Sequence, residues 1–122
     1  AARIVPDGTE PVREAIEEAV TAGARVVLTT GGTGVTPRDL TPEGTAPLLV
    51  ARMEGLEEQI RAHGLTNTPL SGLSREVVGV TARDSSGALI ISSPGSRGGA
   101  LDTLEVVTPL LKAIFHQLDE QR

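Results

Sequence analysis

Glycine and hydroxyl side chains cluster in one short stretch of the sequence, Thr29-Thr-Gly-Gly-Thr-Gly34. Its three glycines permit positive φ and place no side chain between a ligand and the main-chain N–H groups, while the threonines add hydroxyl donors. The stretch therefore suits the binding of an anion such as a phosphate group. The alternative is a flexible connection, because a glycine-rich turn alone is a weak signal.

Charged residues and a helix start follow this glycine loop. Arg38 and Asp39 come first, and Thr41-Pro-Glu43 then predicts a helix with Thr41 as N-cap and Pro42 as its first residue. A helix N-terminus is a second place where negative charge is stabilised. The loop has neither the Gly-x-Gly-x-x-Gly spacing nor a following Gly-Lys-Ser/Thr, so it is not an ordinary phosphate loop. The combination of these groups after an apolar strand favours a ligand site, because open α/β sheets bind ligands at the carboxyl ends of strands.

A second loop, Ser93-Pro-Gly-Ser96, repeats this layout, since it follows an apolar run and precedes a helix. Two such loops could line opposite walls of one crevice. The alternative is a plain loop in which Gly98 and Gly99 reverse the chain. The residues alone leave both interpretations open.

These two loops, together with Leu73-Ser-Arg75, resemble the molybdenum cofactor biosynthesis (molybdopterin-binding) domain family, specifically its stand-alone molybdopterin adenylyltransferases. The resemblance runs from about Val26 to the last helix. Thr-Gly-Gly-Thr-Gly followed by Asp-x-Thr-Pro-Glu is fairly specific for that family. The same domain also occurs in molybdate-inserting enzymes and in competence-damage-type proteins, so the motif identifies the domain better than the reaction.

The resemblance implies adenylylation of molybdopterin with ATP as co-substrate and Mg²⁺ as metal. It implies that Asp39 is catalytic and binds Mg²⁺, with Glu43 as a second metal ligand, and that Arg38 or Arg75 neutralises developing charge. The residues expected to contact phosphate or substrate are Thr30, Gly31, Gly32, Thr33, Gly34, Arg38, Ser74, Arg75, Ser93, Pro94, Gly95 and Ser96. Which loop holds the nucleotide and which the pterin stays open. Two alternative functions stay open. One is a non-catalytic module of the same family that binds molybdopterin or oligomerises, and the other is an insertase-type or pyrophosphatase-type use of the domain.

Composition limits the classes of partner. The 122 residues predict a single domain, and no cysteine is present to form a disulfide or a zinc cluster. A net charge of −5 argues against a broad nucleic-acid or anionic-membrane surface, and Phe115 is the only aromatic residue, which argues against base stacking. No apolar run approaches a membrane span and no signal peptide is evident, so a cytoplasmic location is expected.

Apolar, β-branched runs predict strands at residues 3–5, 25–30, 77–81 and 88–92. We expect the run at 25–30 to be buried on both faces in a parallel sheet, because it has no alternating polar positions. Asp84 and its neighbours predict a turn that makes a hairpin of the last two strands.

Periodic apolar positions predict helices from Thr9 to Gly23, over 42–64 with a break at Gly55, and from about Leu101 to the end with a bend at Pro109. Residues 65–73 predict a loop. Together these elements predict an α/β fold, a three-layer αβα domain of the molybdopterin-binding type with a mostly parallel sheet.

The resemblance also implies two features of the whole molecule. Members of the family begin with a further strand, loop and helix, so residues 1–122 are expected to lack the amino-terminal strand of the domain. Stand-alone members are typically trimeric, and an aliphatic chain of this size gains by burying surface between subunits, so a homotrimer is expected.

Overall fold

The computed structural model describes residues 2–120 and shows four strands and five α-helices in that range. The strands are β1 (Val26–Thr30), β2 (Ala51–Arg52), β3 (Val78–Val80) and β4 (Leu89–Ser93). The helices are α1 (Thr9–Thr21), α2 (Thr41–Thr45), α3 (Glu54–Leu65), α4 (Arg97–Val107) and α5 (Leu111–Asp119). Short 3-10 turns occupy Ala46–Leu48, Pro69–Leu73 and Thr108–Leu110. None of the helices in the described range is long and apolar enough to cross a membrane.

The strands form one sheet in the order β1-β4-β3-β2. β1 runs parallel to β4, whereas β3 is antiparallel to β4 and β2 is antiparallel to β3. The α/β class is confirmed, but the sheet is mixed and not mostly parallel. The reason is the connection between β3 and β4, which is too short for a parallel crossover and therefore makes the predicted hairpin. Asp84 forms its turn by accepting hydrogen bonds from the main chain and hydroxyl of Ser86.

Helices cover both faces of the sheet, as the three-layer prediction requires. Alternate residues of β4 point to opposite faces, so Leu89 and Ile91 lie in one apolar core and Ile90 in the other. The first core also takes Val107 of α4 and Leu118 of α5, and the second takes Ile16 of α1. β4 is buried throughout, so the 93–96 loop follows a fully buried strand, and the glycine loop follows β1, which pairs with β4.

Two strand predictions are wrong. Residues 3–5 form no strand in the described structure, and Ile4 is fully exposed. β1 is not buried on both faces, because it lies at the edge of the described sheet and its burial alternates, with Val26 and Leu28 more than one-third exposed. The expectation of a further amino-terminal strand stays a prediction.

The helix boundaries also differ from expectation in three places. Thr41 is the first residue of α2 and not its N-cap, which is Leu40. The pattern over 42–64 is interrupted by β2 at Ala51–Arg52, so the break precedes Gly55. Gly98 and Gly99 belong to α4, and Ser96 caps that helix by accepting a hydrogen bond from the Gly99 N–H. The bend at Pro109 is confirmed by the 3-10 turn that separates α4 from α5.

Candidate functional site

The two predicted loops meet at one edge of the sheet. Thr30, at the end of β1, stands opposite Ser93, at the end of β4, because these two strands are parallel and in register. The Gly31 N–H donates to the Ser93 carbonyl over 2.9 Å, and the Ser93 hydroxyl donates to the Thr29 carbonyl, also over 2.9 Å. The glycine loop and the loop at 93–96 are therefore neighbours, as expected from parallel strands.

Glycine is required where the loops approach each other. A Cβ on Gly95 would lie 3.3 Å from the Cα of Gly31, and both Gly31 and Gly32 have positive φ, +94° and +71°. A Cβ on Gly32 would lie only 2.2 Å from the Thr41 hydroxyl oxygen. That hydroxyl donates to the Gly31 carbonyl over 2.9 Å, and the Thr41 N–H donates to the Gly32 carbonyl over 3.0 Å. The first residue of α2 therefore holds the glycine loop in shape.

Arg75 fixes the far side of the same loop. Its Nε donates to the Gly34 carbonyl over 2.7 Å and its Nη2 donates to the Asp39 carbonyl over 2.6 Å. Nη1 and Nη2 also bond the two carboxylate oxygens of Glu43, at 2.8 and 3.3 Å. Through this pair the Arg75 guanidinium holds the pKa of Glu43 below its ordinary value. Arg75 is thus already engaged on three sides, and Glu43 already has a cationic partner.

Asp39 lies over the end of the glycine loop. Its Oδ2 accepts hydrogen bonds from the Thr36 hydroxyl at 2.8 Å and from the Thr36 N–H at 3.0 Å. These bonds hold the pKa of Asp39 below its ordinary value, so the side chain is a carboxylate at neutral pH. A Cβ on Gly34 would lie 2.8 Å from Oδ2, so the third glycine makes room for this carboxylate.

Anion-binding groups remain available around the junction of the loops. Among residues 2–120, no partner is found for the N–H groups of Gly32 and Thr33, and the exposed Arg38 makes no hydrogen bond or ion pair. The first N–H groups of α4 follow directly after the 93–96 loop, and a helix N-terminus favours anions. Gly31, in contrast, contributes its conformation and not a free N–H, since that group is bonded to Ser93.

The predicted site residues fall into two groups in space. The first surrounds the junction of the loops, where Thr30, Gly95 and Ser96 are at least partly exposed and Thr33 and Ser93 are buried. The second lines a groove of about 570 Å³ beside α2. Its walls include Glu43, Ser74, Arg75 and Glu76. Arg75 joins the two groups because it touches the glycine loop and also lines the groove.

Sequence reasoning missed three contributors to the site: Thr36, the hydroxyl contact of Thr41, and Glu76. The spacing Thr36-x-x-Asp39 could have indicated a local hydrogen bond between hydroxyl and carboxylate. Nothing in the local pattern indicates that Glu76 would be buried. It is only 2% exposed, and its carboxyl oxygens accept hydrogen bonds from the hydroxyls of Ser74 and Thr103 at 3.3 and 3.2 Å.

The buried Glu76 makes stability depend on pH. Burial raises its pKa from 4.5 to about 7, so between these pH values the folded chain binds more protons than the unfolded chain. We expect this residue to lower the free energy of unfolding as pH rises through that window, by at most about 1.4 kcal/mol per pH unit. Urea unfolding of the wild type and Glu76→Gln from pH 4.5 to 8 measures the difference. The free energy of unfolding of Glu76→Gln, measured relative to that of the wild type, should rise from about pH 4.5 to about pH 7 and stay constant above that.

Glu58→Gln, an exposed position of α3, serves as the control for that series. Parallel curves for the wild type and Glu76→Gln would contradict the assignment, because they would mean that Glu76 keeps the same proton affinity in both states.

The sequence matches the family described as "probable molybdopterin binding domain" over residues 1–113. It is 40% identical over 109 residues to gephyrin of Dictyostelium discoideum, covering 89% of this chain and 15% of the relative. It is 38% identical over 119 residues to the molybdopterin adenylyltransferase of Haemophilus influenzae, covering 93% of this chain and 58% of the relative. The chain thus spans less than two thirds of the length of these curated relatives.

Among solved structures, the fold is similar to that of a putative molybdenum cofactor biosynthesis protein from Corynebacterium diphtheriae. The TM-score is 0.89 at 47% sequence identity, and the match covers 97% of this chain and 73% of the other. A similarity of this extent covers both site loops as well as the sheet that carries them.

Proposed function

This chain belongs to the family of probable molybdopterin binding domains, and from that premise we propose that it acts in molybdenum cofactor biosynthesis as a molybdopterin adenylyltransferase. The observation that carries the proposal is the junction of two loops at the ends of β1 and β4, with unpaired N–H groups on Gly32 and Thr33 and the ionised Asp39 at the end of the glycine loop. A site of that kind binds phosphate groups and a metal–phosphate complex. The proposed substrates, ATP and molybdopterin, both carry phosphate.

The proposed reaction is a nucleotidyl transfer. A terminal phosphate oxygen of molybdopterin attacks the α-phosphorus of ATP, a new O–P bond forms, the bond from the α-phosphorus to the bridging oxygen breaks, and pyrophosphate leaves. Such a transfer needs little covalent help from the protein and depends on positioning and charge neutralisation. The N–H groups of Gly32 and Thr33 would hold phosphate oxygens, and Arg38 would approach the developing charge, since it has no partner among residues 2–120.

The residues at the loop fit Mg²⁺. Mg²⁺ prefers one or two carboxylates together with phosphate oxygens, and it neutralises phosphate charge when bound. Asp39 is an ionised carboxylate, and because both bonds from Thr36 end on Oδ2, Oδ1 is the oxygen left for the metal. Glu43 would have to leave Arg75 before it could bind the ion. These contacts favour Asp39 as the metal ligand, with Glu43 as a second ligand once it is released from Arg75.

Incubation of the purified full-length protein with molybdopterin and Mg-ATP tests the proposal. The expected result is pyrophosphate together with an adenylylated pterin, in equal amounts. Binding of molybdopterin without turnover would instead select the non-catalytic module. Consumption of a different nucleotide substrate, or molybdate insertion, would select the pyrophosphatase or insertase use of the domain.

We also propose that the chain assembles as a homotrimer. Apolar side chains on the described surface support association, since Leu101 and Leu104 lie one turn apart on α4 and are both more than one-third exposed. Light scattering at micromolar concentration is expected to give three times the chain mass. A monomer under those conditions would contradict the proposal.

A further inference from the structure

A cluster of one imidazole and two carboxylates lies between α3 and α4, and the proposed function uses none of its residues. His63 stands in the last turn of α3, and Asp102 and Glu105 stand one turn apart on the facing side of α4. His63 Nε2 is 2.7 Å from Glu105 Oε2 and 3.6 Å from Asp102 Oδ1. One potential ligand atom from each of the three residues lies within 4.8 Å of the others.

We propose that His63, Asp102 and Glu105 bind a divalent transition-metal ion, with Zn²⁺ as the best match. One tetrahedral ion about 2.0–2.2 Å from an imidazole nitrogen and two carboxylate oxygens sets neighbouring ligand atoms roughly 3.3–3.6 Å apart. The two distances from His63 Nε2 bracket that separation. Three protein ligands leave the fourth tetrahedral position of Zn²⁺ for water or a small anion.

The ligand types separate this site from the proposed magnesium site. Mg²⁺ takes oxygen ligands almost exclusively, whereas imidazole suits Zn²⁺, Co²⁺ and Ni²⁺. The cluster offers a nitrogen with two carboxylate oxygens, and Asp39 offers oxygen alone. A zinc titration and a magnesium titration therefore report on different parts of the molecule.

The surroundings hold the carboxylate of Asp102 in place. Asp102 is only 8% exposed, and its Oδ1 accepts a hydrogen bond from the Asn67 amide at 2.9 Å. Such a bond from a neighbouring side chain fixes the orientation of a metal ligand. Gly64, beside His63, leaves room for the 3-10 turn Pro69–Leu73, because a Cβ there would lie 2.4 Å from the Ser71 hydroxyl oxygen, and that Cβ would be in ordinary contact with Asp102 Oδ2 at 3.7 Å.

The competing explanation is a simple ion bridge between helices, in which a protonated His63 pairs with both carboxylates. The two explanations differ in what a metal does. An ion bridge gains nothing from Zn²⁺, since the metal and the proton compete for the same imidazole nitrogen. If the cluster is a metal site, an ion that binds the folded chain and not the unfolded one raises the free energy of unfolding. That rise grows with the logarithm of the ion concentration.

Zinc binding to the full-length protein, freed of metal with a chelator, tests the proposal. Calorimetry at neutral pH is expected to show one Zn²⁺ per chain, with a rise in melting temperature that Mg²⁺ does not reproduce. Co²⁺ in place of Zn²⁺ should give the visible absorption of a low-coordinate nitrogen and oxygen site. Absence of zinc binding in the wild type would overturn the proposal, even if His63→Gln lowers the melting temperature.

Substitutions locate the ion. His63→Gln should weaken zinc binding at least about tenfold, since even partners outside the ligand set cost 10–100-fold in metal affinity. His116→Gln is the matched control, because His116 is the only other histidine in the sequence and lies exposed on α5, outside the cluster. If His63→Gln does not fold, Glu105→Gln replaces it, since that side chain is 64% exposed. Zinc affinity that is unchanged in these variants, or equally reduced in His116→Gln, would overturn the assignment.

Discussion

Replacing Asp39 by Asn is expected to slow the adenylylation of molybdopterin at least about a hundredfold. Asn keeps the size of the side chain and its carbonyl oxygen can still accept the hydrogen bonds from Thr36. The substitution removes the negative charge that a metal–triphosphate complex requires. Loss of one such electrostatic group typically costs about 10² to 10³ in turnover. Steady-state assays of pyrophosphate release measure the effect.

The structure supplies a matched control for this experiment. Asp84 is an exposed aspartate whose Oδ1 accepts hydrogen bonds from the main chain and hydroxyl of Ser86, so its contacts resemble those of Asp39 with Thr36. It lies in the turn between β3 and β4, away from the site loops. Asp84→Asn should therefore leave turnover unchanged.

Binding measurements separate the two roles of Asp39. Molybdopterin should bind to folded Asp39→Asn almost normally, because the lost charge acts on the metal and the triphosphate. Turnover close to that of the wild type would show that Asp39 only supports the loop through Thr36. The metal ligand would then have to be Glu43, released from Arg75.

Sequence patterns predicted the parts of the fold that depend on interactions between residues close together in the chain. The glycine loop, the 93–96 loop and the hairpin with Asp84 each depend on the conformational preferences of a few consecutive residues. These predictions needed no knowledge of distant contacts.

Other features depend on contacts between residues far apart in the chain, which no local pattern records. Arg75 shapes the glycine loop through Gly34, which lies 41 positions earlier. β2 has only two residues, and it exists because it pairs with Gly79 and Val80 of β3, so the sequence pattern predicted helix over 42–64 with a break at Gly55 and no strand. Glu76 is polar and was not expected in the interior, but the hydroxyl of Thr103 on α4, 27 positions later in the chain, donates a hydrogen bond to its carboxyl group. In each case tertiary contacts override local preference.

Replacing Gly32 by Ala is expected to destabilise the fold by about 1.5–4.5 kcal/mol. A residue with a side chain at φ +71° is strained, at about 1–3 kcal/mol. The new Cβ would also meet the Thr41 hydroxyl oxygen at 2.2 Å, which would break its bond to the Gly31 carbonyl, a bond that contributes about 0.5–1.5 kcal/mol. Urea unfolding at one fixed protein concentration measures the sum.

Gly55→Ala is the matched control for that measurement. Gly55 lies in α3 with nothing within 4 Å of an added Cβ and has no positive φ, so Ala should be neutral there or stabilise by up to about 1 kcal/mol. Equal stability of the two variants would contradict the role given to Gly32.

A double mutant tests the cause, and nucleotide binding tests the consequence. If contact with Thr41 is the origin of the loss, Gly32→Ala combined with Thr41→Ala should cost less than the sum of the two single changes, because the hydroxyl that the Cβ would meet is gone.

Mg-ATP should raise the melting temperature of the wild type by binding only the folded chain, and it should raise that of Gly55→Ala equally. In folded Gly32→Ala the rise should be lost, since the Gly32 and Thr33 N–H groups no longer point to a common phosphate. A rise of full size would place the nucleotide at the 93–96 loop and leave the glycine loop to the pterin.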